Sequence, residues 1–356
     1  MASLKGTGVG SEPPFVSISG KVLVRIGSSY DMMYLSKPDD VGYALYDLIS
    51  DTSSGGGTAV GKEIEMDSKV NANREKTAVL VDSGCDIAQE CLDKFGMWLL
   101  PLHIDYEEKA YLDGVDIDPQ MVYDRYPKDY PKTSTPSLQE VIDKLDEMAD
   151  AGIEKVIAIC ISSGLSGTWN AVRLAALHQE RVEVFVFDTK NISVASGLLG
   201  IWAARKLAEG MSYADVCQGL QDRIYESKVM FYMDTLEYLK RGGRIGTVSS
   251  MIGQALKIKP IISCNKEGIY YTVSLIRGSR KGKEKLLKEM VKFCGDHHVW
   301  LGIGHGDADK ESEEMEKMIL EALGGRAEVM YRKQIAATLA LNTGPGLVGV
   351  AAILDP

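Results

Sequence analysis

The sequence has no CxxC pair and no run of about 18 apolar residues. Each scarcity removes a class of protein. Cys85, Cys91, Cys160, Cys217, Cys264 and Cys294 are scattered, mostly in apolar contexts. That spacing indicates neither a zinc site nor a disulfide framework, and it fits a reducing compartment. A membrane-spanning helix needs about 20 consecutive apolar residues, so no span is expected. No basic segment followed by an apolar stretch opens the chain, so no secretory signal is expected and the cytoplasm is the expected location. P-loop, HExxH and EF-hand patterns are missing. Nothing in the spacing of Asp82, Asp86 and Asp188 demands a metal, and no cofactor is expected. A net charge of −10 argues against nucleic acid as the main partner.

What is present is ordinary for a soluble globular protein, with 45% apolar and 25% charged residues. At 356 residues, two domains with sizeable cores are expected. The charge is uneven. Residues 240–288 hold twelve Lys or Arg against only Glu267 and Glu284. A basic island in an acidic chain indicates that an anion is received there, although a solvated basic face is the plainer reading of most of its lysines. The island begins within residues 234–262, DTLEYLKRGGRIGTVSSMIGQALKIKPII. Asp234 and Thr235 are good helix caps. Gly242 and Gly243 then let the backbone take positive φ and come close to a ligand. Arg244, fixed between glycines, is the residue for which a functional role is favoured. A second short helix over 248–256 and a buried strand over 258–262 are expected to follow.

Residues 1–73 read differently from the rest. Small residues fill 1–14, apolar and polar residues alternate over 15–26 as in one or two strands, and 41–50 has the pattern of a short helix. Residues 52–58 read as a flexible linker. No chemistry is assigned to this extension.

From residue 77 strands and helices alternate. Strands are expected over 77–81, 98–104, 155–161 and 182–187. Helices are expected over 88–95, 119–126, 137–151, 167–176, 195–209 and 214–226, with SLQE at Ser137 as a capping box. This alternation predicts parallel βαβ units in a doubly wound sheet. Ligands on such sheets sit beyond the carboxyl ends of the strands, where Asp82, Ser83, residues 162–166 and Asp188 fall. From residue 228 the pattern becomes α+β. A strand is expected at 229–233, a hairpin over 258–263 and 269–276 turned by Asn265 to Gly268, then helices at 281–294 and 311–322 and strands at 299–303, 327–330 and 347–353. The expected organisation is an extension over 1–73, an α/β domain over 74–227 and an α+β domain over 228–356, with the site in the cleft between the last two.

Thr133 precedes Pro136 and a helix start, so its hydroxyl either caps that helix or donates to an anion near the helix N-terminus. Ser162, Ser163, Ser166 and Thr168 cluster with Gly164 and Gly167 at a strand-to-helix turn, the ingredients of an anion cradle. A nucleophile elbow needs G-x-S-x-G, and Thr168 stands where its second glycine belongs. His305, between Gly304 and Gly306, is the histidine expected to face a cleft. His103 and His178 read as structural or exposed, and His297 and His298 lie near a helix end. Residues 344–349 match G-x-G-x-x-G formally, yet they open no helix and read as a tight turn before a last strand.

Five motifs come in a fixed order: VDSGCDI at 81–87, KTSTPS at 132–137, SSGLSGT at 162–168, LEYLKRGGRIG at 236–246 and GPGLVG at 344–349. In these the chain resembles the DegV family of bacterial fatty-acid-binding proteins over about residues 77–356. The resemblance implies an α/β, two-domain DegV-like fold, a Rossmann-like parallel sheet domain plus a second α+β domain, here with an extra N-terminal segment. It implies a long-chain fatty acid in an inter-domain tunnel, its carboxylate bound by Thr133 and Ser166, with Ser163 as the alternate, and neighboured by His305. Arg244 would add positive charge. Where the family usually has glutamine, this chain has Thr135. The resemblance also implies a carrier, not an enzyme, that presents the carboxylate to a separate ATP-dependent fatty acid kinase, which feeds phospholipid synthesis. Lys240, Arg241, Arg280 and Lys281 are the expected docking surface for that kinase. Two other readings stay open: an enzyme acting on a small phosphorylated or carboxylated metabolite with His305 as acid or base, and a binding module whose N-terminal extension covers the cleft or builds a homodimer.

Overall fold

The computed structural model describes residues 15–18, 21–26, 29–34, 76–251, 258–277 and 279–356. The chain divides into two compact units, Met1–Glu65 and Met66–Pro356. In the first, β1 (Phe15–Ile18), β2 (Lys21–Ile26) and β3 (Ser29–Tyr34) form an antiparallel sheet in the order β1-β2-β3. Phe15 lies opposite Val24, and Val22 opposite Met33. The third strand was not expected. The helix expected at 41–50, the linker at 52–58 and the segment 1–14 lie outside the described residues.

The second unit is built on two sheets. Four parallel strands, β4 (Thr77–Asp82), β5 (Trp98–Leu100), β9 (Lys155–Cys160) and β10 (Glu183–Asp188), stand in the order β10-β9-β4-β5. The mixed sheet has six strands: β11 (Ser227–Tyr232), β12 (Ile258–Cys264), β13 (Tyr270–Arg277), β14 (Val299–Gly306), β15 (Ala327–Gln334) and β16 (Leu347–Leu354), in the order β13-β12-β11-β16-β14-β15. Only β14 and β15 pair in parallel within it.

One helix joins the two sheets. α5 (Val194–Ala208) packs on β4 and β9 on one side and on β11, β14 and β16 on the other. Twelve of its fifteen residues are buried, as a helix held between two layers requires. Gly197 lets it come close, since a Cβ there would meet the Cys85 carbonyl at 2.5 Å. The outer face of the parallel sheet is covered by α3 (Leu138–Asp150) and α4 (Thr168–His178), which bury Val141, Leu145, Met148, Val172 and Ala175 against it. The outer face of the mixed sheet is covered by α8 (Ser279–Cys294) and α9 (Asp309–Leu323), through Leu286, Met290, Met315 and Ile319. α1 (Gln89–Phe95) and α6 (Tyr213–Asp222) complete the layer around α5.

The expected strand at 98–104 is two strands in different sheets. β5 joins the parallel sheet, while β6 (His103–Asp105) joins a small antiparallel sheet with β7 (Ala110–Leu112) and β8 (Lys132–Ser134). Pro101 separates them, since it has no N–H to give to a ladder. α2 (Pro119–Arg125) starts at the expected proline, capped by Asp118.

Three buried carboxylates tie these parts together. Asp82, at the end of β4, accepts the Ile161 N–H at 2.8 Å. Asp86 accepts the Ser193 hydroxyl at 2.5 Å and the Ala336 N–H at 2.6 Å. Asp113 accepts the Ser83 hydroxyl at 2.8 Å, the Ala337 N–H at 2.9 Å and the Thr338 hydroxyl. Burial pushes Asp82 up to about 7 and Asp86 up to about 6, from an ordinary 3.8. A folded-state value above the unfolded one means that the native protein holds the extra proton through that window. The stability this contributes is full below about pH 4 and is lost as pH rises to about 7. In urea unfolding across pH 4 to 8, wild type is therefore expected to lose a few kcal/mol (on the order of 1.4 per pKa unit) relative to Asp82→Asn as pH rises. A difference that does not change with pH would contradict this.

Candidate functional site

The site grows from the turn after β9. The Ser162 hydroxyl accepts the Gly164 N–H at 3.0 Å and donates to the Gly268 carbonyl at 2.9 Å. Gly268 belongs to the tip of the β12–β13 hairpin, where Asn265 Oδ1 accepts the N–H groups of Glu267 and Ile269. It has φ +77°, and a Cβ there would stand 1.8 Å from Ser162 Oγ, so only glycine fits. The hairpin tip of one sheet is thus clamped onto the strand-to-helix turn of the other.

Beside this clamp lies a cavity of about 80 Å³ whose wall includes Thr133, Ser166 and Arg244. Thr133 sits mid-strand in β8, opposite Ile104. It does not cap α3. Ser137 does, accepting the Glu140 N–H while Glu140 reaches back to the Ser137 N–H. The Thr133 hydroxyl has no hydrogen-bond partner among the described residues. Ser166 precedes the N-terminus of α4, where exposed N–H groups and the helix dipole favour an anion. Its hydroxyl lies 2.8 Å from Thr168 Oγ1. Arg244 follows α7 (Glu237–Arg241) and the turn at Gly243, φ +73°. Its guanidinium donates to the Gly242 carbonyl at 2.6 Å and pairs with no carboxylate among the described residues.

The fourth wall was not read from the sequence. It is α10 (Ala337–Thr343), which brings Thr338, Leu339, Asn342 and Thr343 to the cavity. The Asn342 side-chain amide donates to the Thr338 carbonyl at 2.8 Å. Its Oδ1 lies against Gly242, where a Cβ would come within 1.9 Å of it. Tyr270, at the start of β13, was also missed.

Behind the polar cavity is an apolar one of about 20 Å³, walled by Val194, Val229, Phe231, Ile335 and Leu347 over Gly304 and Gly349. The two share Ile192, Tyr270, Leu339 and Thr343. Gly304 and Gly349 are direct partners on β14 and β16, and a Cβ there would crowd Ile335 at 3.1 Å or Phe231 at 3.2 Å.

His305 and Ser163 do not reach this wall. Side chains alternate along a strand, so with Gly304 facing the cavity, His305 faces the other side of β14. There its Nδ1 accepts the Ala308 N–H at 3.4 Å, and its Nε2 lies 3.6 Å from Asp309. Burial lowers its pKa. The Ser163 hydroxyl accepts from Lys190 Nζ at 3.0 Å, on the outside of the turn. Lys240 and Arg241 are exposed on α7, with the Arg241 guanidinium 4.8 Å over the Tyr130 ring. Lys281 is exposed on α8, and the side chain of Arg280 lies outside the described residues. The second short helix is a 3₁₀ turn at Gly246–Met251, and residues 252–257 lie outside the description.

The family model described as an uncharacterised protein of the DegV family matches residues 76–355. The chain belongs to the DegV family. A DegV domain-containing protein of Clostridium acetobutylicum is 33% identical over 278 residues, 78% of this chain and 98% of that one. Among solved structures, a fatty-acid-binding DegV family protein from Thermus thermophilus is 28% identical, with a TM-score of 0.74, covering 78% of this chain and 99% of that one. A stearic-acid-binding protein from Eubacterium ventriosum is 27% identical, with a TM-score of 0.72, covering 78% of this chain and 98% of that one. Among the described residues no helix is long and apolar enough to cross a membrane.

Four of the five DegV motifs meet around the paired cavities. KTSTPS, SSGLSGT and the RGGR turn wall the polar one, and GPGLVG supplies Leu347 and Gly349 to the apolar one. VDSGCDI lies apart, at a cleft of about 490 Å³ with Asp82, Asp113, Asp116, Asp118 and Lys333 in its wall. Although larger, that cleft is a poorer anion site. Asp113 and Asp82 already hold their donors, and the acidic rim repels negative charge.

Proposed function

We propose that this DegV chain binds a long-chain fatty acid, with Thr133, Ser166 and Arg244 holding the carboxylate and the alkyl chain entering the apolar space between the sheets. The observation that carries this is the convergence of a hydroxyl with no described partner, a helix N-terminus and a guanidinium that meets backbone carbonyls but no described carboxylate on a cavity backed by an apolar one. A carboxylate cannot leave water unpaired, and these groups supply its partners. Each buried methylene contributes about 0.8 kcal/mol, so a long chain offsets the cost of ordering it. Both cavities are far below the roughly 300–1,000 Å³ of sites that enclose a ligand. Binding on this reading therefore parts Tyr270 and Leu339, which stand in both walls.

The protein would act as a cytoplasmic carrier. A separate ATP-dependent kinase would phosphorylate the carboxylate at the mouth for phospholipid synthesis, docking on Lys240, Arg241, Arg280 and Lys281. The enzyme alternative relies on His305 as acid or base at the cleft, and its imidazole is turned to α9 instead. Fluorescence-displacement titration with hexadecanoate tests the binding. Wild type is expected to bind saturably at one site, and Arg244→Ala about tenfold more weakly, the loss of one charged hydrogen-bond partner. Equal affinities would remove Arg244 from the site.

A further inference from the structure

Tyr270 is 5% exposed, yet its hydroxyl makes no hydrogen bond to any described residue. It stands opposite Cys264 on β12, and its carbonyl accepts the Thr247 hydroxyl at 3.1 Å. Its ring packs edge-on against Phe231, centroids 5.5 Å apart. Phenylalanine would pack equally well, so nothing among the described residues accounts for the hydroxyl. Tyr270 is also one of the four residues shared by the polar and apolar cavities. A chain passing from one to the other slides over this ring, and an alkyl segment alone would strip the hydroxyl of water without replacing it.

We propose that the Tyr270 hydroxyl is a further hydrogen-bond donor to the ligand's carboxylate, placed at the waist between the two cavities. The proposal rests on the fatty-acid reading above and extends it to a residue on the second sheet. The carboxylate is then held from both sheets: by Thr133 and Ser166 on the parallel-sheet side, and by Tyr270 on the mixed-sheet hairpin. The Gly268–Ser162 clamp keeps that hairpin in register with the cradle. Burial holds the phenol pKa well above its ordinary value, so the group stays a donor at neutral pH.

The test is Tyr270→Phe, titrated with hexadecanoate and with methyl hexadecanoate, alongside the Tm of the protein before ligand is added. Loss of a hydrogen bond to a charged group should weaken hexadecanoate binding by about tenfold to a hundredfold, and loss of one to a neutral ester by less, about two- to tenfold. The Tm should not fall, because the hydroxyl bonds no described residue of the protein. Hexadecanoate binding equal to wild type would overturn the proposal, as would equal losses for acid and ester, which would mean the ring's packing was disturbed. Wild-type protein that takes up neither ligand would overturn the fatty-acid reading itself and this proposal with it.

Discussion

Asp113→Ala is expected to destabilise the protein by about 3 kcal/mol or more, the largest single-site loss in stability anticipated here. The carboxylate is fully buried and holds three donors, from Ser83, Ala337 and Thr338. Ser83 in turn accepts the Leu102 N–H at 3.0 Å. Alanine strands the donors in the interior, and each unsatisfied one costs about 1–3 kcal/mol. The damage is also functional, because Asp113 anchors the first turn of α10, the helix that carries Thr338, Leu339, Asn342 and Thr343 to the cavity. Asp113→Asn keeps an acceptor and should cost about 1 kcal/mol. Urea unfolding of both variants checks this. Equal, small losses would show that the network is not holding α10.

The second large effect is on affinity. Thr133→Val with Ser166→Ala should weaken hexadecanoate binding by about 100- to 10,000-fold, since two hydrogen bonds to a charged group are worth about 1.5–3 kcal/mol each. Valine keeps the shape of Thr133 within β8. Alanine at Ser166 also frees the Thr168 N–H, which Ser166 Oγ accepts at 3.3 Å, so the Tm is measured beside the affinity. Methyl hexadecanoate should lose much less than the acid. Unchanged affinity for the acid would place the carboxylate elsewhere.

The alternation of strands and helices made the two-sheet plan legible, because β4 and β9 are nearly continuous apolar runs and α3 carries the stripe Val141, Leu145 and Met148. The SLQE box was legible for a local reason, two reciprocal hydrogen bonds within four residues. What failed turned on local details that a periodicity hides, or on neighbours far away in sequence. Pro101 divides what reads as one strand between two sheets. His305 looked open to a cleft because glycines flank it, yet the two-residue period gives the cavity face to Gly304. α10 is seven residues, too short to show a helical period, although its Ala-rich run closing at Gly344 was a signal. Tyr270 reads as an ordinary strand aromatic, and only the packing of the hairpin onto Ser162 brings it beside Thr133 and Ser166. The sequence grouped Thr133, Ser166 and Arg244 through motif resemblance, and the fold brings those three to one wall.

On the proposed function, the space between the sheets holds an acyl chain. Purified protein, denatured and extracted, with the extract analysed by mass spectrometry, tests it most directly. A long-chain free fatty acid is expected at close to one per protein, and is expected to be lost from the Thr133→Val, Ser166→Ala variant. Protein that yields no lipid and also fails to take up added hexadecanoate would contradict it.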